Sequence, residues 1–332
     1  MNTGTNTGRE VVVAGSHGLI GAALVADLVA RGDRVRRLVR RGTAQGGTAQ
    51  TSTTQGGTDP ASSGRVRDLT WDPRTGELDP AALEGADAVV NLAGAGIGDH
   101  RWTAAYKQTL LGSRTTTTSL LARTVARLDA RPVLVNASAV GAYGDRGDEV
   151  LTETSGRGDD FLAGLVRAWE DATAPAAEAG ARVVWLRTGL VLAPSGGALG
   201  RLLPLLRLGL GGPLGTGRQW WSWITLPDQV AAVRHVIGAD VRGPVNAVAP
   251  EPTTNRDLTR ALAHALRRPA VLAVPRVALR VAVGQLADDL VASQRVLPGV
   301  LDRTGFAWAH ATPQDAADWV AAGTGADVSA PR

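Results

Sequence analysis

The chain has 332 residues, of which 44% are hydrophobic and 20% charged, with 35 basic and 31 acidic side chains and no cysteine. This length and composition predict a soluble globular protein, either one elaborated domain or a main domain with a smaller lobe. The net charge of +4 is too small and too dispersed to indicate a nucleic-acid partner, and the lack of cysteine excludes disulfides and thiol chemistry.

Neither a metal site nor a membrane partner is expected. The five histidines are far apart and have no metal-ligand spacing, so we predict no metal site. No apolar run reaches about 18 residues and no secretory signal precedes the first strand, so we expect a cytoplasmic protein without a membrane partner.

The first predicted unit is a strand, a glycine-rich turn and a helix. Val11–Ala14 is β-branched and apolar, and an Ala/Leu/Val-rich helix follows the turn and ends at Gly32. In dinucleotide-binding folds, glycines in such a turn allow a tight bend and close approach to a pyrophosphate, which the helix amides bind. We therefore predict cofactor contacts at Gly15, Ser16, His17, Gly18, Leu19, Ile20 and Gly21.

The second predicted strand ends in two arginines. Arg34–Val39 alternates apolar and basic residues, and Arg40 and Arg41 follow roughly twenty residues after Gly21, where a carboxylate would bind the ribose hydroxyl of NAD. A guanidinium suits the extra phosphate of NADP; the alternative is that both arginines are solvated strand-end charges. The sequence therefore favours NADP(H) over NAD(H).

Two segments have the composition of disordered chain. Residues 1–8 are mostly Thr, Asn and Gly, and residues 42–64 have almost no large apolar side chains. We predict a disordered tail and a disordered insertion.

After the insertion, strands and helices alternate. We predict strand Val66–Trp71, short helix Pro80–Leu83, strand Ala86–Gly94, helix Thr103–Leu128, strand Pro132–Ala137, helix Phe161–Ala179, strand Arg182–Leu186, helix Leu226–Ile237 and strand Val245–Val248. Repeated βαβ units predict an α/β fold with a doubly wound parallel sheet of the Rossmann type, over residues 9–250, and a ligand at the carboxyl ends of the strands.

The pattern changes beyond Pro250. Leu258–Leu266 and Arg276–Leu286 are predicted helices, and no long hydrophobic strand follows. This indicates a smaller, mostly helical C-terminal lobe over residues 251–329, to which residues 194–223 contribute. We expect it to bind the substrate and cover the reactive end of the cofactor.

Several motifs together resemble a known family. The glycine turn, Asn91–Gly94 and Asn136–Ala139 resemble the extended, epimerase-like form of the short-chain dehydrogenase/reductases. Further segments resemble proteins called NAD-dependent epimerase/dehydratase-like, often labelled SulA-like cell-division inhibitors, whose C-terminal domain of unknown function would be residues 282–329 here. These segments are Arg101–Thr103, Ser138–Asp145, Gly217–Ile224, Val245–Pro252 and Ser293–Pro298.

The resemblance implies roles for individual residues. Asn91, Leu92, Ala93 and Gly94 would line the cofactor, and Ser138 would be the catalytic hydroxyl at the end of the fifth strand. The Tyr-x-x-x-Lys pair of the superfamily is missing, because its expected positions within Phe161–Val166 are apolar. Tyr143 is either a substitute proton donor or a packed loop tyrosine.

Four residues are predicted substrate contacts, namely Trp102, Lys107, Arg218 and Trp221. Lys107 and Arg114, seven residues apart, could hold an anionic substrate or form a solvated helix face. The tryptophan-rich segment Arg218–Trp223 is either a lid or pocket wall, or a contact between lobes. We assign the Asp288 and Asp289 pair to a helix surface.

These features predict an NADP(H)-binding, epimerase-like oxidoreductase that acts on a small carbonyl or alcohol substrate. Two alternatives stay open: a nucleotide-sugar epimerase or dehydratase, and a regulatory protein that binds NADPH without catalysis. We expect a monomer or a homodimer.

Overall fold

The computed structural model describes residues 8–40, 64–197, 199–209, 211–270 and 272–326. Most of the predicted tail and insertion, and Arg41, lie outside these residues. The described strands are β1 (Glu10–Ala14), β2 (Arg34–Arg40), β3 (Val66–Trp71), β4 (Ala88–Asn91), β5 (Val133–Ala139), β6 (Val150–Leu151), β7 (Val183–Thr188), β8 (Leu190–Leu192), β9 (Trp220–Trp221), β10 (Trp223–Thr225), β11 (Gly243–Ala247), β12 (Thr253–Thr254) and β13 (Arg295–Val296).

The helices follow most of the long strands. They are α1 (Leu19–Ala30), α2 (Ala104–Ala126), α3 (Phe161–Asp171), α4 (Ala174–Glu178), α5 (Leu199–Arg207), α6 (Leu226–Gly238), α7 (Asn255–Ala265), α8 (Arg276–Val283), α9 (Leu286–Leu290), α10 (Gly299–Arg303) and α11 (Pro313–Ala326). Pro80–Ala82 and Val140–Tyr143 form short 3-10 helices.

Seven strands form one parallel sheet in the order β11-β7-β5-β4-β1-β2-β3. The order reverses between β1 and β4, where Ala14 pairs with Asn91 at the carboxyl ends. Ligands of such sheets bind in the crevice that this reversal leaves open. The predicted fold class is confirmed.

Alternate residues of each strand pack on opposite faces of the sheet. Val11 and Val13 belong to a core with α1 and α6, whereas Val12 and Ala14 belong to a core with α2 and α4. Because both faces of the sheet are covered at its centre, β1 and β4 consist almost entirely of buried apolar residues instead of alternating with polar ones.

Two predicted helices are broken in the structure. The helix predicted over Phe161–Ala179 ends at Asp171, and a new helix starts at Ala174 with Pro175 in its first turn. The helix predicted from Arg276 ends at Val283, because Gly284 has a positive φ of 65°. The predicted strands shift by only one or two residues at most ends, since their apolar runs are well bounded.

The C-terminal region is mostly helical and packs as a smaller layer beside the sheet. Leu203 and Leu206 of α5, Leu258 of α7 and Val320 of α11 share one apolar core with the fully buried Trp223. Within the described ranges, no helix combines the length and the hydropathy needed to cross a membrane.

Candidate functional site

The turn between β1 and α1 is shaped to receive a ligand. Gly15 has a φ of 82°, and a Cβ on it would lie 2.6 Å from the carbonyl carbon of Leu92. A Cβ on Gly21 would lie 2.2 Å from the oxygen of Gly15. Gly18 is the N-cap residue of α1 and provides no side-chain cap. A Cβ on Gly18 would meet only the main-chain oxygen of Gly15, at 3.5 Å. The uncapped helix amides can therefore bind phosphate groups.

A cavity of about 510 Å³ opens over this turn, at the carboxyl ends of the strands. Its other walls come from the end of β5, from α3, from β9 and from the segment that follows α9. Eight of the predicted site residues line it: Gly15, Gly18, Leu19, Ile20, Gly21, Leu92, Ser138 and Trp221.

The remaining predicted residues of the glycine turn and of β2 do not line this cavity. Ser16 is buried, with its hydroxyl 3.5 Å from Nδ1 of His17, and His17 is exposed. Arg40 is exposed at the carboxyl end of β2, where it pairs in register with Trp71. The predicted contact of Arg41 lies outside the described residues.

Asn91 holds the turn that follows β4 through side-chain hydrogen bonds. Its amide donates to Oγ1 of Thr118 at 2.9 Å and to Oδ1 of Asn136 at 2.7 Å, while its Oδ1 accepts the main-chain N–H of Ala93 at 3.2 Å. Asn91 is completely buried. It therefore holds the turn of Ala93 and Gly94 and joins β4 to β5, and its amide does not face the cavity.

The hydroxyl of Ser138 is tied to a buried carboxylate. Its Oγ donates to Oε1 of Glu170 at 2.7 Å, and Glu170 also accepts from Nε and Nη2 of Arg187 at 2.9 and 3.0 Å and from Arg157. Burial opposes the charge of Arg187, but the hydrogen bonds and charge of Glu170 outweigh it and raise the pKa of the guanidinium. Ser138 can therefore present only lone pairs to a ligand, since an ionised carboxylate accepts hydrogen bonds and donates none.

Tyr143 lies behind this network. Its side chain is fully buried with Val140, Leu151 and other apolar residues and does not line the cavity. The hydroxyl donates to Oδ1 of Asn246 at 2.7 Å and accepts from Nη1 of Arg187 at 3.1 Å. Burial raises the pKa of the phenol. Its catalytic role stays a prediction.

The face of α3 that lines the cavity is apolar. Leu162 and Val166 are four residues apart on this face, as are Leu165 and Trp169. This is where the Tyr-x-x-x-Lys pair of the superfamily was expected and is missing from the sequence. The helix therefore offers a ligand packing surface and no proton.

Arg114 on α2 brings a cation to the cavity wall. Its guanidinium lies 5.0 Å from the ring of Trp169, and Nη1 donates to the carbonyl of Leu110 at 3.1 Å. Nε is buried without a hydrogen-bond partner, and no described carboxylate pairs with the group. Burial lowers its pKa. A cation placed in this way is suited to an anionic group of a ligand.

Only one predicted substrate contact lines the cavity, namely Trp221, whose indole N–H donates to the carbonyl of Leu290 at 3.3 Å. Trp102 donates to the carbonyl of Ile97 at 2.9 Å and packs edge-on against a phenylalanine. Lys107 lies over the same ring, and Arg218 is exposed. Trp102, Lys107 and Arg218 lie outside the cavity wall.

Asp289 of α9 lines the cavity, although the sequence assigned it to a helix surface. Its neighbour Asp288 is at the surface, where Arg276 and Arg280 bind its carboxylate. No described residue pairs with Asp289 or donates to its carboxylate. Burial, with the charge of Asp160, raises the pKa of Asp289 to about 7.

Sequence reasoning missed the positions of Glu170, Arg187 and Asp289. A buried carboxylate–guanidinium pair has no local pattern, because its partners lie on different elements. The signal for Asp289 was weak: neighbouring residues of a helix point in different directions, so the two carboxylates of this doublet need not share one face.

A second hollow of about 740 Å³ lies at the other end of the sheet, near the starts of β1 and β2. Arg9, Asp33 and Arg234 line it. The amino ends of parallel strands are not where such sheets bind ligands, so we assign the site to the cavity over the glycine turn.

Comparisons with known proteins cover nearly the whole chain. The profile of the NAD dependent epimerase/dehydratase family matches residues 11–249, and that of the domain of unknown function DUF1731 matches residues 274–320. Epimerase family protein Mb2239 of Mycobacterium bovis is 46% identical over 304 residues, which are 91% of this chain and 94% of that protein.

Two solved structures are also similar. The human epimerase family protein SDR39U1 (isoform 2), crystallised with NADPH, is 31% identical, with a TM-score of 0.80 over 94% of this chain and 99% of that chain. A nucleoside-diphosphate sugar epimerase from Corynebacterium glutamicum is 35% identical, with a TM-score of 0.69 over 93% of this chain and 57% of that chain.

Proposed function

Because the chain belongs to the NAD dependent epimerase/dehydratase family, we propose that it binds NADP(H) and transfers hydride to or from a small carbonyl or alcohol substrate. One observation carries the proposal: the uncapped glycine turn and Ser138 line the same cavity at the reversal of the sheet. When bound there, the dinucleotide supplies the hydride, and the residues of the chain bind and orient both partners.

The phosphates would bind at the start of α1. There the side chains are missing at Gly15, Gly18 and Gly21, and the first helix amides have no side-chain cap. No acidic residue in the first turn of α1 would repel an anion. Arg114 adds a cation on the opposite wall.

The preference for NADP(H) over NAD(H) rests on Arg40. Its position at the carboxyl end of β2, one strand from the glycine turn, is where the ribose phosphate of NADP would lie. The human SDR39U1 structure, which contains NADPH, supports the same preference.

Ser138 would orient the substrate. Because the Ser138 hydroxyl donates its hydrogen bond to Glu170, its oxygen can accept a hydrogen bond from a substrate hydroxyl. The apolar face of α3 and the rings of Trp220 and Trp221 would exclude water from the reacting carbon.

The second candidate is a regulatory protein that binds NADPH without turnover. The apolar pairs of α3 favour it, because they leave that helix without a proton donor. A nucleotide-sugar epimerase, as the Corynebacterium glutamicum structure is named, would need a site for a nucleoside diphosphate beside the dinucleotide. Arg114 is the cation of the cavity wall that could hold such a diphosphate.

The cofactor assignment is tested by titrating the protein with NADPH and NADH. Binding would be followed through fluorescence, since Trp169, Trp220 and Trp221 line the cavity. We expect NADPH to bind more tightly than NADH, and Arg40→Glu to abolish this preference by placing a carboxylate beside the phosphate. The loss of one charge-assisted contact corresponds to about 10-fold or more in Kd.

Arg67→Glu is the matched control. Arg67 is exposed on β3 and pairs in register with Arg36, four residues before Arg40, so the same charge change lies far from the carboxyl end. Equal effects of both substitutions on NADPH affinity would contradict a specific phosphate contact. Failure of the wild-type protein to bind either dinucleotide would overturn the proposed function.

A further inference from the structure

Hydride transfer to a carbonyl needs a proton, and the expected donors are unavailable. The Ser138 hydroxyl donates its hydrogen bond to Glu170, and Tyr143 lies outside the cavity, where its hydroxyl donates to Asn246. Glu170 itself is bound by two arginines. The face of α3 offers only leucine, valine and tryptophan.

One carboxyl group remains in the cavity wall. Asp289 reaches the cavity from α9, where the preceding residues Leu286 and Ala287 are buried and anchor the helix. The next residue, Leu290, accepts hydrogen bonds through its carbonyl from the side chains of Gln219 and Trp221. The position of Asp289 is therefore held from both sides.

The surroundings of Asp289 keep its proton available at neutral pH. Burial disfavours its ionised form, and Asp160, which caps the start of α3, adds a second negative charge; together they raise the pKa of Asp289 to about 7. The arginines of α8 bind Asp288, on the other side of α9. Arg114 of α2 is the cation in the cavity wall. A general acid works best when its pKa is close to the working pH.

We propose that Asp289 is the proton donor and acceptor of the reaction, in place of the missing tyrosine. As the carbonyl carbon gains a hydride, the electron pair of the C=O π bond moves to the oxygen, and this oxygen takes the proton of the Asp289 carboxyl. The hydride would come from NADPH, so the products are an alcohol, NADP+ and the Asp289 carboxylate. In the reverse direction the carboxylate takes the hydroxyl proton as the carbon loses its hydride. This inference rests on the proposed hydride transfer.

The test compares wild type, Asp289→Asn and Asp288→Asn. NADPH oxidation would be measured with para-nitrobenzaldehyde and benzil, aromatic carbonyl probes that suit a cavity lined by leucine and tryptophan. We expect Asp289→Asn to lower kcat by about 100-fold or more, the contribution of general acid catalysis. Its Kd for NADPH should change less than two-fold, roughly. Asp288→Asn removes only the two exposed ion pairs with Arg276 and Arg280 and should keep the wild-type rate.

The pH profile gives a second readout. Reduction needs the protonated carboxyl, so the wild-type rate should fall as the pH rises through about 7. Oxidation of para-nitrobenzyl alcohol with NADP should instead rise through the same pH, and Asp289→Asn should remove both transitions.

The outcomes separate the two proposals. If Asp289→Asn keeps the wild-type rate and pH profile, the assignment of Asp289 is wrong and the oxidoreductase proposal stands. If the wild-type protein binds NADPH and reduces neither probe, the result counts against Asp289 as a donor and favours a regulatory protein. If it binds no dinucleotide, the proposed function itself fails.

Discussion

At the scale of single residues, buried charges decide which groups can react. Glu170 is completely buried and Arg187 is 3% exposed, so each depends on the other for its solvation. The same carboxylate fixes the direction in which the Ser138 hydroxyl points. Asp289 has no such partner among the described residues, and burial together with the charge of Asp160 raises its pKa to about 7.

The Glu170 pair leads to a stability prediction. Glu170→Gln should lower the free energy of unfolding by about 3–5 kcal/mol, because it leaves a buried guanidinium without its countercharge. Urea unfolding measures this loss. Asp68→Asn is the control, since Asp68 pairs with Arg37 at the surface and should lose less than about 1 kcal/mol. Equal losses in the two variants would mean that burial of the pair has no effect.

At the scale of elements, the β1–α1 unit combines a structural and a binding role. The chain turns through Gly15, and α1 packs against that turn so closely that Gly21 can have no side chain. The helix also starts without a side-chain cap, because its N-cap residue is Gly18. The uncapped amides are then available to a ligand.

Gly21→Ala should therefore push α1 away from the turn. A Cβ would lie 2.2 Å from the main-chain oxygen of Gly15, and backbone must move to accept it. We expect a lower free energy of unfolding and at least about a 10-fold rise in the Kd for NADPH, measured by urea unfolding and fluorescence titration.

Gly112→Ala is the matched control for this change. Gly112 lies within α2 and no described atom is within 4 Å of its Cβ position. This substitution should stabilise the protein by about 0.5–1 kcal/mol, since alanine favours a helix. It should leave NADPH binding unchanged, and parallel effects of the two substitutions would contradict the close-contact argument.

At the scale of the whole molecule, the cavity is closed by chain from the far end of the sequence. Ser222, between β9 and β10, binds this C-terminal chain at residues 294–296. Its Oγ donates to the carbonyl of Gln294 at 2.7 Å and accepts the N–H of Val296 at 2.8 Å. The N–H of Ser293 donates to Asp145. The glycine turn and the strand ends form one part of the cavity wall, and α9 adds Asp289 to it.

Cofactor binding should therefore protect both regions together. At 100 times Kd, NADPH should add about 2.7 kcal/mol to the free energy of unfolding. Hydrogen exchange should slow in residues 15–21 and in residues 286–294, which share the cavity. Residues 235–239 at the opposite hollow serve as the control. Their exchange should slow only as much as the overall gain in stability requires. Protection confined to that hollow would place the ligand elsewhere.

The sequence by itself determined the fold class and the position of the glycine turn between β1 and α1. Both follow from residues that are close in sequence. These are the apolar runs that form strands, the glycines at positions 15, 18 and 21, and the helix that begins within this motif. Local geometry follows from local sequence, so these features could be predicted without knowing how the chain folds back.

Only the tertiary structure decided which side chains meet in the cavity. Ser138, Arg114 and Asp289 come from distant parts of the chain, and sheet order and helix packing bring them to one cavity. The same packing removes Tyr143 from the cavity and leaves Lys107 over a phenylalanine ring. Residue type and spacing do not reveal burial or the face of a short helix, because both depend on contacts formed across long loops.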